Sequence, residues 1–343
     1  MKKIAVDIMG GDFAPLEQIK GVELALEKYD DIELHLFGDE KIIKQNLKTS
    51  HLDRVKIYNF PTKVDMGEKN PIAEVRKNKD TSLVQAFQAV KDKTVDGVVT
   101  CGPTQCVVAA AHLVIRRIPG MKRCALCCEF PAIGGKGKLL LDCGANVELR
   151  PEHLEQLALY ATIYAKEVKG IEKPLVGLLN IGSEPGKGRE VDKETFELLK
   201  NNPNINFFGN IEPKDMLASD CDILLGDGYT GNMVLKTLEG TAKTIGNFLK
   251  KEIKKGFFSK IGYLFMKRVF DNFKNELNPD KVGGATLFGV DGVLVKSHGA
   301  SKAETFANAI GNTRNIINGN VVSKMKEYIA TIEPEGNAAS DNE

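Results

Sequence analysis

No run of eighteen or more apolar residues occurs in these 343 residues, so nothing reads as a spanning helix. A signal-peptide pattern is missing too, since the first residues enter a strand pattern at once, and the expected compartment is cytoplasmic. Histidine is scarce: the five residues, at 35, 51, 112, 153 and 298, are scattered. Among the seven cysteines only Cys124 and Cys127 have CxxC spacing, and without a second such pair a zinc framework is excluded. Their odd number and apolar surroundings argue against disulfides, so the thiols are read as structural, with neither metal nor cofactor expected. Net charge is nearly absent as well: at +1 there is no global attraction for nucleic acid, which is not expected as a partner. Any charge effect must be local.

What is present is a repeated unit of β-prone run, glycine turn and helical pattern. It occurs at Lys3–Asp7 with Met9-Gly-Gly-Asp12 and a helix from Leu16 to Glu27, and at Val95–Thr100 with Cys101-Gly-Pro-Thr-Gln105 and a helix from Cys106 to Ile115. It recurs at Lys138–Asp142 with Cys143-Gly-Ala-Asn146 and a helix from Pro151 to Val168. Ile32–Phe37, Val55–Tyr58, Ala125–Phe130 and Pro174–Leu179 add strands, and Lys281–Thr286 with Gly289–Val295 reads as strand and hairpin. Such alternation predicts a mainly parallel sheet with helices on both faces, a three-layer α/β/α architecture. A polar tail, 333–343, is expected to be disordered.

In open α/β sheets ligands bind beyond the carboxyl ends of strands, which directs attention to Asp7, Gly10 and Gly11, and to Asp142 and Asn146. Met9-Gly-Gly-Asp12 is not GxGxxG, so a dinucleotide site is not indicated. The stretch Cys221–Gly240 reads as a strand over Asp222–Gly226, a turn Asp227-Gly-Tyr-Thr-Gly-Asn232 and a helix. A helix starting there turns unpaired N–H groups and the positive end of its dipole toward an anion such as phosphate, with Thr230, Gly231 and Asn232 at that spot. Equally, any parallel sheet needs glycines in its turns. After Pro174–Leu179, Asn180-Ile-Gly-Ser-Glu-Pro-Gly-Lys-Gly-Arg-Glu190 is only loosely a Walker A loop: three residues separate Gly182 from Gly186, and Gly follows Lys187 where a Ser or Thr would hold magnesium. A triphosphatase is excluded, yet Lys187 remains a phosphate ligand of the point-charge kind.

Residues 241–274 place Phe248, Leu249, Phe257, Phe258, Leu264 and Phe265 at near-helical intervals, with lysines and arginines on the other face. This is a basic amphipathic helical pair broken near Gly256, suited to an anionic membrane surface. Packing on the core or on a second subunit is the alternative.

The motifs IAVDIMGGDFAP, LLLDCGAN, LLNIGSEPGKGRE, GDGYTGNMVLKTLEG, GGATLFGV and SHGAS follow one another in the order found in the PlsX family, which the chain resembles from residue 3 to about 318. These bacterial phosphate acyltransferases convert acyl-acyl carrier protein and inorganic phosphate into acyl phosphate, and feed phospholipid synthesis. The resemblance implies a single α/β/α catalytic domain over 1–332, similar to the isocitrate/isopropylmalate dehydrogenase and phosphotransacetylase group. It also implies a homodimer, acyl carrier protein as partner, and reversible membrane association through 241–274. By the same resemblance Lys187 and Asn232 are catalytic, while Asp7, Gly10, Gly11, Asp142, Asn146, Thr230 and Gly231 line the substrate pocket. One departure stands out: Gly102-Pro-Thr-Gln105 replaces the family's usual Gly-Asn-Thr-Gly turn. A phosphotransacetylase-like enzyme using coenzyme A and a non-catalytic membrane scaffold are the other readings.

Overall fold

Runs such as Ile4-Ala-Val and Val98-Val are apolar on both sides of the pleat, which suits strands covered by helices on both faces. The computed structural model describes residues 1–130, 137–276 and 282–332. The expected disordered tail, Gly134 to Lys136 of a glycine turn, and Lys281 of the expected hairpin lie outside the described residues. The strands are β1 (Lys2–Asp7), β2 (Ile32–Gly38), β3 (Val55–Asn59), β4 (Gly97–Thr100), β5 (Ala125–Phe130), β6 (Lys138–Leu141), β7 (Leu175–Leu179), β8 (Asn206–Ile211), β9 (Ile223–Leu225), β10 (Ala285–Phe288) and β11 (Val293–Lys296). The helices are α1 (Leu16–Lys28), α2 (Glu40–Asn46), α3 (Pro71–Lys77), α4 (Ser82–Lys91), α5 (Thr104–Ala110), α6 (Pro151–Glu167), α7 (Glu190–Asn201), α8 (Gly228–Lys255), α9 (Phe257–Glu276), α10 (Ala303–Asn318) and α11 (Val321–Ile332).

Eleven strands form one sheet in the order β3-β2-β1-β4-β11-β10-β5-β6-β9-β7-β8. Its two faces bury alternate residues, as a period of two requires. Ile4 and Val6 join Val22 and Leu26 of α1 and Ile310 of α10, whereas Ala5 between them joins Phe87 of α4 and Val107 of α5. The three-layer, mainly parallel architecture is therefore as the alternation predicts. Pairing is antiparallel at β11–β10, β10–β5 and β5–β6 and parallel at the other described junctions. Three successive reversals mean that β1, β4 and β11 run one way while β6, β9 and β7 run the other. Loops following the two sets emerge at opposite ends of the strands.

Elements that were not expected include α4, α7, β8 and α11. β8 carries the sequence Asn206-Phe-Phe-Gly-Asn-Ile211, interrupted by Gly209 in a left-handed conformation (φ 120°), and pairs with β7 across a register shift. α11 follows α10 after a turn at Gly319 and Asn320. The helical pair broken at Gly256 is present, with Gly256 extended (φ −109°, ψ 143°) between α8 and α9.

Candidate active site

The loop after β6 is organised by Asp142. Its Oδ1 accepts from the backbone N–H of Leu126 (3.0 Å), Gly144 (3.0 Å) and Ala145 (2.9 Å), and its Oδ2 from the backbone N–H and the side-chain Nδ2 of Asn146, both at 2.8 Å. Burial raises the pKa of this carboxyl despite those donors. Asn146 also donates to the Cys124 carbonyl at 2.6 Å. Asp142 and Asn146 thus shape the loop, and the Asp142 carboxylate and the Asn146 Nδ2 already hold protein partners.

α8 docks onto that loop through glycine. A Cβ on Gly228 would overlap the Asn146 carbonyl, and one on Gly231 would overlap that of Asp142, so both positions exclude a larger residue. Asp227 caps the helix, accepting from the Thr230 N–H at 2.8 Å. The Tyr229 N–H donates to Val147 O (3.2 Å) and the Gly231 N–H to Asp227 O (2.9 Å). This corrects the expected anion cradle, because the main-chain donors of Tyr229, Thr230 and Gly231 are already taken. What the first turn offers a ligand is the dipole and the Asn232 side chain. That amide sits beside Gly144, half-buried, with no hydrogen-bond partner among the described residues.

The loop after β7 brings Lys187 to the same side. Asn180 Nδ2 donates to Lys187 O (3.0 Å), the Lys187 N–H donates to Glu184 O (3.1 Å), and Gly188 takes a left-handed turn (φ 92°). The Lys187 side chain is exposed and has no ion pair among the described residues. Arg189, two residues on, was not singled out from the sequence. Its guanidinium grips Asp192 (2.9 Å) and Asp227 (2.7 Å), tying the Lys187 loop to the cap of α8. Hydrogen bonds donated to Asp192, and then to Asp227, raise the Arg189 pKa against the opposing effect of burial. Burial pushes the Asp227 carboxyl up, but the Thr230 and Arg189 bonds outweigh it and the net shift is downward. The sequence signal for Arg189 was an arginine next to a glycine-flanked lysine with an aspartate three residues later.

Asp7, Gly10 and Gly11 lie elsewhere. Asp7 is buried at the end of β1, accepting from Ser82 Oγ (2.6 Å), Thr100 Oγ1 (2.7 Å) and the Met9 N–H (3.2 Å), and burial raises its pKa. β1 stands five strand spacings from β6, about 24 Å at ~4.8 Å each, and points the opposite way. Within the chain these three residues are not brought to Asn232 and Lys187, because the reversals around β10 and β5 separate them. Pro103 and Thr104 belong to this end as well, opening α5. His298 is exposed in the loop after β11, which also leaves at the Asp7 end. Cys101 and Cys106 are buried there, and desolvation pushes their thiols up to about 12 and about 11, which disfavours the nucleophilic thiolate.

No described helix is long and apolar enough to cross a membrane. The α8–α9 pair nevertheless leaves its apolar side uncovered: Phe258 is 85% and Phe265 86% exposed, and Phe248, Phe257 and Leu264 are exposed with them, while Leu249 is half-buried. Packing of this face on the core of its own chain is thereby excluded.

The family model described as "Fatty acid synthesis protein" matches residues 2–324. The phosphate acyltransferase of Acholeplasma laidlawii (strain PG-8A) is 46% identical over 331 residues, 96% of this chain and 98% of the relative. That of Staphylococcus aureus (strain MRSA252) is 42% identical over 329 residues, with the same shares covered. Among solved structures, a phosphotransacetylase from Streptococcus pyogenes superposes with a TM-score of 0.59 at 19% identity, covering 94% of each chain. A branched-chain phosphotransacylase from Enterococcus faecalis V583 gives 0.55 at 15% identity, covering 92% of this chain and 99% of the other. At such identities the two structures speak for the fold alone.

Proposed function

The chain belongs to the fatty acid synthesis protein family, and from that premise we propose that it is a phosphate acyltransferase that moves a fatty acyl group from acyl carrier protein to inorganic phosphate, supplying acyl phosphate for membrane phospholipid synthesis. The observation that supports this reading is the ion pair between Arg189 and Asp227, which ties the loop carrying Lys187 to the cap of the helix carrying Asn232, two side chains without a hydrogen-bond or ion-pair partner among the described residues.

The chemistry asks little more of the protein. Phosphate has a second pKa near 6 and is mostly dianionic at neutral pH, and a thiol of pKa about 8.5 departs without strong acid help. A phosphate oxygen attacks the thioester carbonyl, forming the C–O bond. The tetrahedral oxyanion takes a hydrogen bond from Asn232 Nδ2, and its collapse breaks the C–S bond and releases thiolate, which is protonated from solvent. Lys187 neutralises and orients the phosphate, assisted by the dipole of α8. Asp142, Asn146, Gly228 and Gly231 hold the floor of the site. Removing one such oxyanion donor costs on the order of 10²–10³ in kcat.

The exposed face of α8 and α9 would contact anionic lipid in a homodimeric, reversibly membrane-associated enzyme, each nearby lysine or arginine adding roughly 1 kcal/mol. Coenzyme A is the second donor to be tried. Incubation with long-chain acyl-acyl carrier protein or acyl-coenzyme A plus phosphate, followed by detection of acyl phosphate, tests both. Carrier protein is expected to be the productive donor. In Lys187→Ala, saturation by phosphate should be lost; wild-type phosphate KM and turnover in that variant would remove the lysine from the mechanism.

A further inference from the structure

Two basic segments offer themselves to an acidic protein, the stretch from Lys250 to Arg268 of α8 and α9 and the turn between α5 and β5; Lys250 lies eighteen residues along α8 from Asn232, roughly 27 Å of helix, whereas the turn is hydrogen-bonded to the candidate site's own loop. Its residues are fixed from both sides. The Lys122 N–H donates to Gln156 Oε1 (3.0 Å) and Gln156 Nε2 to Gly120 O (2.8 Å), binding the turn to α6, while the Asp291 N–H donates to Arg116 O (2.9 Å). Arg123 Nη1 and Arg117 Nη1 both donate to the Lys122 carbonyl, at 3.0 and 2.5 Å, which draws the two guanidinium groups together. Arg116, Lys122, Arg123 and Arg150 are exposed, and Arg117 is half-buried. None of the five forms an ion pair among the described residues. Asp291, whose N–H holds Arg116 O, is itself engaged by Lys93 (3.3 Å) and Lys326 (2.5 Å).

The positive field is felt by several neighbours. The His153 pKa is lowered by burial and then by Arg123, Arg150 and Lys122, with Glu152 opposing, and that of His112 by burial, Arg117 and Arg123. Four cations on a held turn, with Arg150 at the start of α6 and none of the five in an ion pair among the described residues, outnumber the neighbouring Glu148 and Glu152 and make a surface for an acidic partner. Arg123 is followed directly by Cys124, whose carbonyl receives Asn146 Nδ2, so the patch abuts the loop that faces Asn232. The most exposed aromatic side chains, Phe257, Phe258 and Phe265, lie instead on α9, which fits the α8–α9 pair to lipid and this turn to a polar protein surface.

We propose that the surface formed by Arg116, Arg117, Lys122, Arg123 and Arg150 is the landing site of the acidic acyl carrier protein, placing its thioester against Asn232. This rests on the function proposed above. The test is steady-state kinetics of the full chain at several salt concentrations, comparing wild type with Lys122→Glu/Arg123→Glu, with Arg150→Glu, with Lys254→Glu on α8, and with a control reversal, Lys200→Glu on α7. The double reversal should raise the KM for acyl carrier protein about tenfold and flatten its salt dependence. Phosphate KM and the thermal midpoint should stay at wild-type values, which excludes a folding defect. Unchanged donor KM and salt dependence would overturn the proposal, as would a rise confined to Lys254→Glu. Loss of binding to anionic phosphatidylglycerol vesicles without a change in donor KM would also overturn it, in favour of a lipid-facing role. Failure of the underlying function reads differently: unmutated protein would then yield no acyl phosphate from carrier protein at any salt.

Discussion

Asp142 accepts five hydrogen bonds while buried at the end of β6, so its work is to hold the Cys143–Asn146 turn in one shape. Asp142→Asn keeps the volume but turns an NH2 toward donors that require an acceptor. The two bonds from Asn146 to Oδ2 become donor-against-donor contacts, and leaving buried donors unsatisfied costs about 1–3 kcal/mol each. Urea denaturation should show a loss of about 3 kcal/mol. A variant within 1 kcal/mol of wild type would mean that the turn is held from elsewhere. Asn232 and Lys187 contrast with Asp142 in having no such partners, which is why they and not the aspartate are assigned to substrate. Turn chemistry in the sequence pointed to all three. It did not separate scaffold from ligand contact, because that depends on donors such as the Leu126 N–H, sixteen residues away.

At the level of the element, the α8–α9 pair was legible because its apolar residues recur at helical intervals and Gly256 interrupts them. What periodicity does not report is occupancy. The first turn of α8 looked like open N–H groups, yet Val147 O from the β6 loop fills one of them. Arg189 escaped for a related reason: its partner Asp227 lies 38 residues along the chain. The same pair of helices yields a prediction that separates surface from core. Since Phe258 and Phe265 are 85% and 86% exposed, replacing both by aspartate removes no core packing, only the edge contact of Phe258 with the equally uncovered Phe257. Folding stability should stay within about 0.5 kcal/mol, the usual range for surface positions. Sedimentation with anionic vesicles should be abolished, since the change removes the inserting face and adds two negative charges. A variant that still sediments would end the lipid-facing assignment, and one that loses stability or its oligomeric state would move this face to a subunit interface.

Across the whole molecule, repeated strand–turn–helix units announced a three-layer, mainly parallel sheet, but not the strand order. Which strands pair, and in which direction, is decided by packing between segments far apart in sequence. The hairpin β10–β11 inserts beside β5 and reverses the running direction, so glycine turns that look equivalent in the sequence emerge at opposite ends of the sheet. The Asp7 cluster and the Lys187–Asn232 cluster should then be energetically independent within one chain. Ser82→Ala deletes a buried donor to Asp7 at a cost of roughly 1–3 kcal/mol, and Arg189→Gln breaks a half-exposed pairing worth about 1–2 kcal/mol. Sites more than about 10 Å apart with no shared partner add to within about 0.5 kcal/mol. The double variant should therefore lose the sum of the single losses in urea denaturation. A coupling well above that margin would show that the two ends meet, and because β1 and β6 are separated by four intervening strands, the route would have to run through a second copy of the chain. Repeating the measurement over a range of protein concentrations would expose that route, since coupling across subunits fades on dilution while coupling within a chain does not.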